Sequence, residues 1–384
     1  MFRFFLCDPS LIGFSGHCLG YLEAVRRALP VEWKSFLLGN KNVDETVRQM
    51  YGVFPIFTHW IDHIEHKNPL RNAEYHSKII LKDLNGSNDI FHFGSNDWIL
   101  INSLRQWGLL GVLRWMESLG VEKTPMVVLI LHFSALEEEA WRYLYCEFFN
   151  ILSVSPIKEK MRLFTDSDSL TQEFQEYGCK DIVTAPIPHV PDLPVHISEE
   201  PLVVSYMGAA RSDKGFQYLP YLLKRTKYTP GLPDVRFEIM AWVSNPQEDF
   251  FSWNIEYLCE DKRVKLYMDP LNENEYYGIL KKTDIGLILY NNKVYAKQTS
   301  GILAELVAAG VVIVASRGTW AAQQVDQYEL GTLSMPDDPI SAGDALVKVI
   351  KNFSKWKEKQ NNGRKLFLGF HNSVNFSKII LKGL

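Results

Sequence analysis

Residues 280–319 are the stretch that most constrains the fold. Two β-branched segments, 285–289 and 311–315, flank a polar loop and a short helical pattern that begins at Thr299-Ser300-Gly301. This order of strand, loop, helix start and strand is typical of an open α/β sheet. In such sheets the backbone N–H groups at the helix start can hold a phosphorylated ligand. The stretch therefore predicts a parallel sheet with an anion site at its carboxyl edge.

The length of the chain implies more than one such sheet. Its 384 residues exceed what one hydrophobic core usually fills, so we expect two domains of roughly 150–200 residues each. Apolar residues make up 46% of the chain and aromatic residues 13%, which indicates a packed globular protein. Segment 186–201 has five prolines and predicts a stiff connector, so we place the domain boundary there.

Charge and cysteine usage limit the classes of partner. The net charge of −4 offers no general attraction to nucleic acid or anionic lipid. The five cysteines are odd in number, scattered and without CxxC spacing, which argues against a disulfide framework and against a zinc site. A reducing cytosolic compartment fits best. Residues 2–7 predict a first strand, not a signal peptide.

The first half alternates predicted strands and helices. Residues 89–94 and 126–134 predict strands, the second containing His132, while 97–119 predict one or two helices. Segment 97–119 is expected to form a buried helix. The alternative is a helix with one face that docks on a membrane. A capping box from Ser169 to Gln172 predicts the start of the next helix.

Two polar clusters in this half have ambiguous roles. His59, His63 and His66 fall on one face of a predicted helix; we favour a surface or acceptor-cleft helix over a metal site, since no fourth ligand is evident. Asp166-Ser167-Asp168 matches a metal-binding pair, but turn and cap chemistry is the simpler interpretation.

The second half concentrates groups that suit an anion. Gly208 ends a predicted strand, and the loop after it carries Arg211 and Lys214, whose charges suit a diphosphate. The helix that follows this loop is expected to be interrupted by Pro220. Glu305 can accept two hydrogen bonds from a vicinal diol such as a ribose. A diphosphate next to a ribose indicates a nucleotide sugar or a dinucleotide.

At these residues the chain resembles the glycosyltransferases of the two-Rossmann GT-B architecture, family 4 most closely. In that family a G-R-x-x-x-x-K-G loop opens the second domain, and this chain keeps the spacing of Gly208, Lys214 and Gly215. The family also has a Glu, seven residues and a second Glu within a strand–loop–helix–strand unit. This chain matches that unit at five positions within the segment TDIGLILYNNKVYAKQTSGILAELVAAGVVIVASRG. The matching residues are Asp284, Glu305, Ala309, Gly310 and Ala315.

The resemblance implies an α/β fold of the GT-B type, with two parallel sheets that face a central cleft. Residues 1–190 would form the acceptor-binding domain and 191–365 the nucleotide-sugar domain, and 366–384 would pack back on the first as a helix. It implies transfer of a sugar from a nucleoside diphosphate sugar, such as a UDP or GDP sugar, to a hydroxyl of a glycan or lipid-linked glycan. Transfer would proceed with retention and without a metal or other cofactor, in the cytoplasm or at the cytoplasmic face of a membrane.

The resemblance also assigns roles to individual residues. The donor-binding set is Gly16, His17, Gly208, Lys214, Thr299, Ser300, Gly301 and Glu305. The catalytic set is His132, Arg211, Lys214 and Lys297.

The chain departs from the family pattern at two positions. Lys297 stands where the family has its first Glu, and Ala209 stands where it usually has Arg, so that Arg211 would have to substitute. A lysine at 297 inverts the local charge, which leaves alternatives open. These are an inverting transferase with His17 as the base, a sugar-nucleotide epimerase, and a non-catalytic protein that binds a nucleotide or a partner.

Overall fold

The computed structural model describes residues 2–14, 17–58, 65–135, 139–242 and 249–382, with only the backbone at 249–251 and at 273. The chain divides into two units. Unit 1 comprises Met1–His189 and Asn372–Leu384, and unit 2 comprises Val190–His371. The division at His189 falls within the proline-rich segment.

Unit 1 contains a parallel sheet of seven strands within the described residues, in the order β3-β2-β1-β4-β5-β6-β7. Its strands are β1 Arg3–Cys7, β2 Lys34–Asn40, β3 Val53–Phe57, β4 Asp97–Ile101, β5 Met126–Leu131, β6 Met161–Thr165 and β7 Val183–Thr184. Its helices before the connector are α1 Cys18–Arg27, α2 Glu45–Tyr51, α3 Pro69–Phe91, α4 Leu109–Leu119, α5 Glu139–Val154 and α6 Asp168–Glu176.

Both faces of this sheet are covered. In β1, Phe5 and Cys7 join one buried cluster while Phe4 and Leu6 join another, as the twofold alternation of a strand requires. A parallel sheet buried on both faces consists of near-continuous apolar runs, which is why its strands lack polar alternation.

The strand predicted at 89–94 is wrong, because 89–91 form the last turn of α3. Asn68 caps this helix by accepting hydrogen bonds from the backbone N–H groups of residues 70 and 71. Ile80 and Leu84 lie one turn apart on its buried face, and His92 ends it with a left-handed φ of 48°. The helix therefore includes residues 89–91, although their sequence pattern resembles that of a strand.

The helical prediction for 97–119 is correct only in its second part. Residues 97–101 are the central strand β4, paired with β1 and β5, and a short run that is buried on both faces shows no period to separate strand from helix. The following α4 packs against α3, where a Cβ on Gly111 would lie 2.4 Å from the carbonyl oxygen of Ser77. The buried interpretation of this helix is confirmed.

Two smaller predictions are also corrected. The cap of α6 is Ser167, whose hydroxyl accepts from Leu170 N–H at 3.2 Å, so the cap lies two residues before the predicted cap Ser169. The cap part of the interpretation of 166–168 is thus confirmed at Ser167, whereas Asp168 accepts from the Thr184 hydroxyl at 2.6 Å. Of the three-histidine face, His59 and His63 lie outside the described residues, so that face stays a prediction.

Unit 2 contains a parallel sheet of six strands within the described residues, in the order β10-β9-β8-β11-β12-β13. Its strands are β8 Leu202–Tyr206, β9 Val235–Met240, β10 Val264–Tyr267, β11 Ile285–Ile288, β12 Val312–Ser316 and β13 Gly331–Ser334. Its helices are α7 Leu219–Tyr228, α8 Asp249–Glu260, α9 Glu273–Leu280, α10 Gly301–Ala308, α11 Trp320–Gln327, α12 Pro339–Lys351 and α13 Phe353–Phe370. Pro220 lies in the first turn of α7 and does not interrupt it.

The C-terminal helix belongs to unit 1. Helix α14, Ser373–Ile380, packs against α1, with the Phe376 ring 5.6 Å from that of Tyr21. Arg162 Nη1 also donates to the Ile380 carbonyl at 2.9 Å. Within the described ranges, no helix combines the length and the apolar character needed to span a bilayer.

Candidate functional site

The residues predicted to form an anion site in unit 2 lie at the switch point of its sheet. The chain leaves β8 for β9 on one side, whereas β11 pairs with β8 on the other. Loops that leave neighbouring strands in opposite directions open a crevice at the carboxyl edge. The two loops touch, since Asn291 N–H donates to the Asp213 carbonyl at 2.8 Å. A Cβ on Gly215, at φ +80°, would lie 2.3 Å from the Leu289 carbonyl, so this position requires glycine.

Lys214 is the cation of these loops that forms no salt bridge with the described residues. Its stem lies against Gly208, where a Cβ would come within 3.2 Å of Lys214 Cδ. Its ammonium lies 5.6 Å from the ring centre of the buried Tyr290 and forms no hydrogen bond or salt bridge with the residues that the structure describes. Burial, and then the charge of Arg211, lower the pKa of Lys214 to about 8. Because the lysine stem is packed and its ammonium forms no salt bridge with the described residues, Lys214 is a candidate to bind an anionic ligand.

Arg211, by contrast, is already paired. Its guanidinium binds both carboxylate oxygens of Asp213 and donates to the Tyr295 hydroxyl at 2.8 Å. The hydrogen bonds to Asp213 raise the pKa of Arg211. The sequence predicts that both cations face a ligand; in the structure Arg211 is bonded to Asp213 and Tyr295, whereas Lys214 forms no such bond with the described residues.

The N-terminus of α10 is connected to this cation through Tyr290. Ser300 caps the helix by accepting from Leu303 N–H at 3.2 Å, and Gly301 is its first residue. The Tyr290 hydroxyl lies 3.4 Å from Ser300 Oγ, so a single tyrosine contacts both the ammonium of Lys214 and the helix cap. Thr299 precedes the cap and is half-buried. Free N–H groups and the helix dipole favour a negative ligand at this end.

Glu305 lies further along the same helix and is 7% exposed. The Tyr276 hydroxyl, from α9, donates to Glu305 Oε2. Burial, and then the charge of Glu305, raise the pKa of Tyr276 well above its usual range, so the phenol remains a donor. Lys297 is half-buried in the loop before α10, and its assigned role stays a prediction.

Unit 1 has a different arrangement at its own carboxyl edge. Four polar side chains that follow β1, β4, β5 and β6 form one hydrogen-bonded chain. Asn102 Nδ2 donates to Asp8 Oδ2 at 2.8 Å, and Asn102 Oδ1 lies 2.6 Å from His132 Nε2. His132 Nδ1 lies 2.7 Å from Asp166 Oδ2. Both ring nitrogens of His132 are therefore engaged by the protein.

The first loop of unit 1 holds the remaining predicted residues. The His17 ring lies 5.2 Å from that of His189, and the Tyr21 ring lies 5.5 Å from His189. Burial, and then the neighbouring His17 and His132, lower the pKa of His189 well below its usual range. Gly16 lies outside the described residues.

Several residues at these edges were missed from the sequence. Asp8 and Asn102 directly follow strands. The position of Asn102 at a strand end was not recognised, because the sequence pattern predicts a helix for its strand. The tyrosines leave no local signal, since their partners lie far along the chain. The missed residues are Asp8, Asn102, Asp213, Tyr276, Tyr290 and Tyr295. In the parts that the structure describes, no three His, Cys, Asp or Glu side chains cluster as metal ligands.

The sequence matches no protein-family model and no curated protein. Solved structures are similar in fold. Sucrose-phosphate synthase from Thermosynechococcus elongatus aligns over 99% of this chain and 97% of its own, at 11% identity and a TM-score of 0.68. The Anabaena protein HepE in complex with UDP aligns over 98% of each chain, at 12% identity and a TM-score of 0.67. The chain has the GT-B fold.

A third structure of this fold has another activity. UDP-GlcNAc 2-epimerase from Neisseria meningitidis, bound to UDP-GlcNAc, aligns over 100% of this chain and 99% of its own, at 14% identity and a TM-score of 0.60. The shared fold therefore does not decide the reaction, and the chemistry has to be argued from the residues.

Proposed function

We propose that this protein is a glycosyltransferase that moves a sugar from a nucleoside diphosphate sugar to a hydroxyl group of a glycan or lipid-linked glycan. The observation that carries the proposal is the Lys214 ammonium at the switch point of unit 2, which forms no hydrogen bond or salt bridge with the described residues and lies against Tyr290, the residue that also approaches the cap of α10. The sequence pattern around Lys214 and Glu305 supports it. UDP in the HepE structure supports a nucleoside diphosphate as the ligand class.

The chemistry follows from where charge develops. When the bond between sugar and diphosphate breaks, negative charge grows on the departing phosphate. Lys214 and the N–H groups at the start of α10 are placed to stabilise that charge, and they are held there before the reaction. Arg211 acts through the loop, since its bonds to Asp213 and Tyr295 fix the backbone next to Lys214. No step in this scheme calls for a metal.

The role of unit 1 is to organise the reaction. Because both nitrogens of His132 are bonded to Asn102 and Asp166, this residue would have to give up a bond to contact a sugar. We therefore assign His132 to holding the four strand ends in place. Retention at the anomeric carbon is part of the proposal; inversion with His17 as the base is its alternative, and NMR of the product separates the two.

The test is a panel of UDP and GDP sugars incubated with the protein, with and without sugar acceptors. We expect transfer with one donor and slow hydrolysis of the same donor without an acceptor. Lys214→Ala should lower turnover about 10²–10³-fold. The matched control is Lys224→Ala, because Lys224 is an exposed lysine on α7 of the same unit. Normal turnover in Lys214→Ala would refute the proposed site.

An epimerase is the second candidate, because the UDP-GlcNAc 2-epimerase from Neisseria meningitidis has the same fold and Lys297 replaces the first Glu of the transferase pattern. The two functions differ in the product formed without an acceptor. A transferase releases the free sugar and the nucleoside diphosphate, whereas an epimerase yields an isomerised nucleotide sugar. Chromatography of the reaction mixture distinguishes them, and binding without turnover would indicate a non-catalytic protein.

A further inference from the structure

The contact between Tyr276 and Glu305 joins two helices of unit 2. Tyr276 lies on α9, which precedes β11, and Glu305 lies on α10, which follows it. The phenol donates to Oε2 of the carboxylate. No local sequence rule requires this contact, because the residues are 29 positions apart.

A buried carboxylate needs such a donor. Glu305 has lost most of its contact with water, and an ionised group in that position is stabilised by charge-assisted hydrogen bonds. Because one oxygen accepts from a phenol on another helix, the carboxylate can no longer rotate freely about its terminal torsion. Its plane is set before any ligand arrives.

A fixed carboxylate plane matters for recognition of a diol. Two adjacent hydroxyl groups of a ribose can both donate to one carboxylate only if it faces them in the right plane. A site of this kind loses much more affinity for an analogue that lacks a hydroxyl than a flexible site does, because a buried polar group is then left without its partner.

We propose that Tyr276 is a positioning residue that fixes Glu305 for the 2′ and 3′ hydroxyls of a ribose, so that the site selects ribonucleotides over deoxyribonucleotides. The inference rests on the proposed function, since it takes a nucleoside diphosphate as the ligand. It adds a residue outside the motifs in the sequence, and it adds a specificity that can be measured apart from turnover.

The competing interpretation is that the pair only ties α9 to α10. The two interpretations differ in what Tyr276→Phe changes. A structural tie would weaken every nucleotide equally or lower only stability, whereas a positioning residue would weaken ribonucleotides and spare deoxyribonucleotides.

The experiment is calorimetric titration of the full chain with UDP, GDP and their 2′-deoxy forms. For the base that binds, we expect the wild type to prefer the ribonucleotide about 10-fold or more. Tyr276→Phe should weaken ribonucleotide binding about tenfold and deoxyribonucleotide binding less than about twofold, so that the preference disappears.

A second variant and a control complete the design. Glu305→Gln should lose the same preference, and adding Tyr276→Phe to it should cost no further affinity, because both changes remove one interaction. The control is Tyr145→Phe, which removes a buried phenol bonded to the Phe133 carbonyl in unit 1. It should leave nucleotide affinity unchanged.

The outcomes are separable. If the wild type binds UDP or GDP but Tyr276→Phe keeps the full preference, or loses both nucleotides equally, the positioning role is overturned while the proposed function stands. If the wild type binds neither UDP nor GDP, the proposed function falls and the inference falls with it.

Discussion

At the scale of single residues, Lys214 holds a positive charge in a half-buried position. A half-buried lysine that forms no salt bridge with the described residues opposes folding, and burial accordingly lowers its pKa. The unfolded chain binds the proton more tightly than the folded protein does. The penalty is therefore full below pH 8 and fades as the pH rises toward the ordinary value for lysine.

The first prediction is that Lys214→Met stabilises the protein while it abolishes nucleotide binding. Removing the uncompensated charge should raise the free energy of unfolding of unit 2 by about 1–3 kcal/mol at pH 7. Denaturant unfolding and calorimetry with UDP or GDP measure the two effects. Lys224→Met is the control and should change neither. A destabilised Lys214→Met variant would mean that this lysine is structural.

The second prediction concerns pH. Lys214 faces Arg211, which lowers its pKa, and Asp213, which raises it. A diphosphate binds the protonated amine, so affinity should be constant up to about pH 7.5 and fall about tenfold by pH 9 as the unliganded lysine loses its proton. Lys214→Arg should remove this dependence, because the guanidinium stays charged. A wild-type affinity that is the same at pH 7 and pH 9 would contradict the assignment.

At the scale of elements, the sequence predicts helices and strands correctly where caps and hydrophobic periodicity indicate the same structure. In 280–319 the strands, the helix and its Ser300 cap all form where the pattern places them, because caps and flanking apolar runs agree. In 89–101 the local signals conflict, and tertiary burial of β4 decides. The Tyr276–Glu305 and Asn102–His132 contacts depend on strand order, which periodicity does not encode.

The third prediction separates the cap from the ligand contact at α10. Ser300→Ala should cost about 1 kcal/mol of stability and Ser300→Gly only a few tenths, because glycine is tolerated at an N-cap. Nucleotide affinity should stay within about threefold in both, since the backbone N–H donors remain. Thr319→Ala, which removes the equivalent cap of α11, is the matched control. A tenfold loss of affinity in both Ser300 variants would show that the hydroxyl itself binds the ligand.

At the scale of the whole molecule, the two units present opposite arrangements at equivalent places in their sheets. Among the described residues, Lys214 of unit 2 forms no hydrogen bond or salt bridge, whereas unit 1 has a hydrogen-bonded chain from Asp8 to Asp166 across four strand ends. An unsatisfied charge is suited to binding, and a satisfied network is suited to rigidity. We therefore assign nucleotide affinity to unit 2 and organisation of the transfer to unit 1.

The fourth prediction tests this division. His132→Gln should lower the rate of sugar transfer about 10–100-fold, because it disturbs the bonds that fix the ends of β4, β5 and β6. Its affinity for UDP or GDP should stay within about twofold of the wild type, which calorimetry measures, because the groups proposed to hold the diphosphate all belong to unit 2. Ser118→Ala removes another hydrogen bond of unit 1, to the Trp115 carbonyl, and should alter neither quantity. If His132→Gln loses nucleotide affinity as severely as Lys214→Ala, the tasks of the two units are not separate.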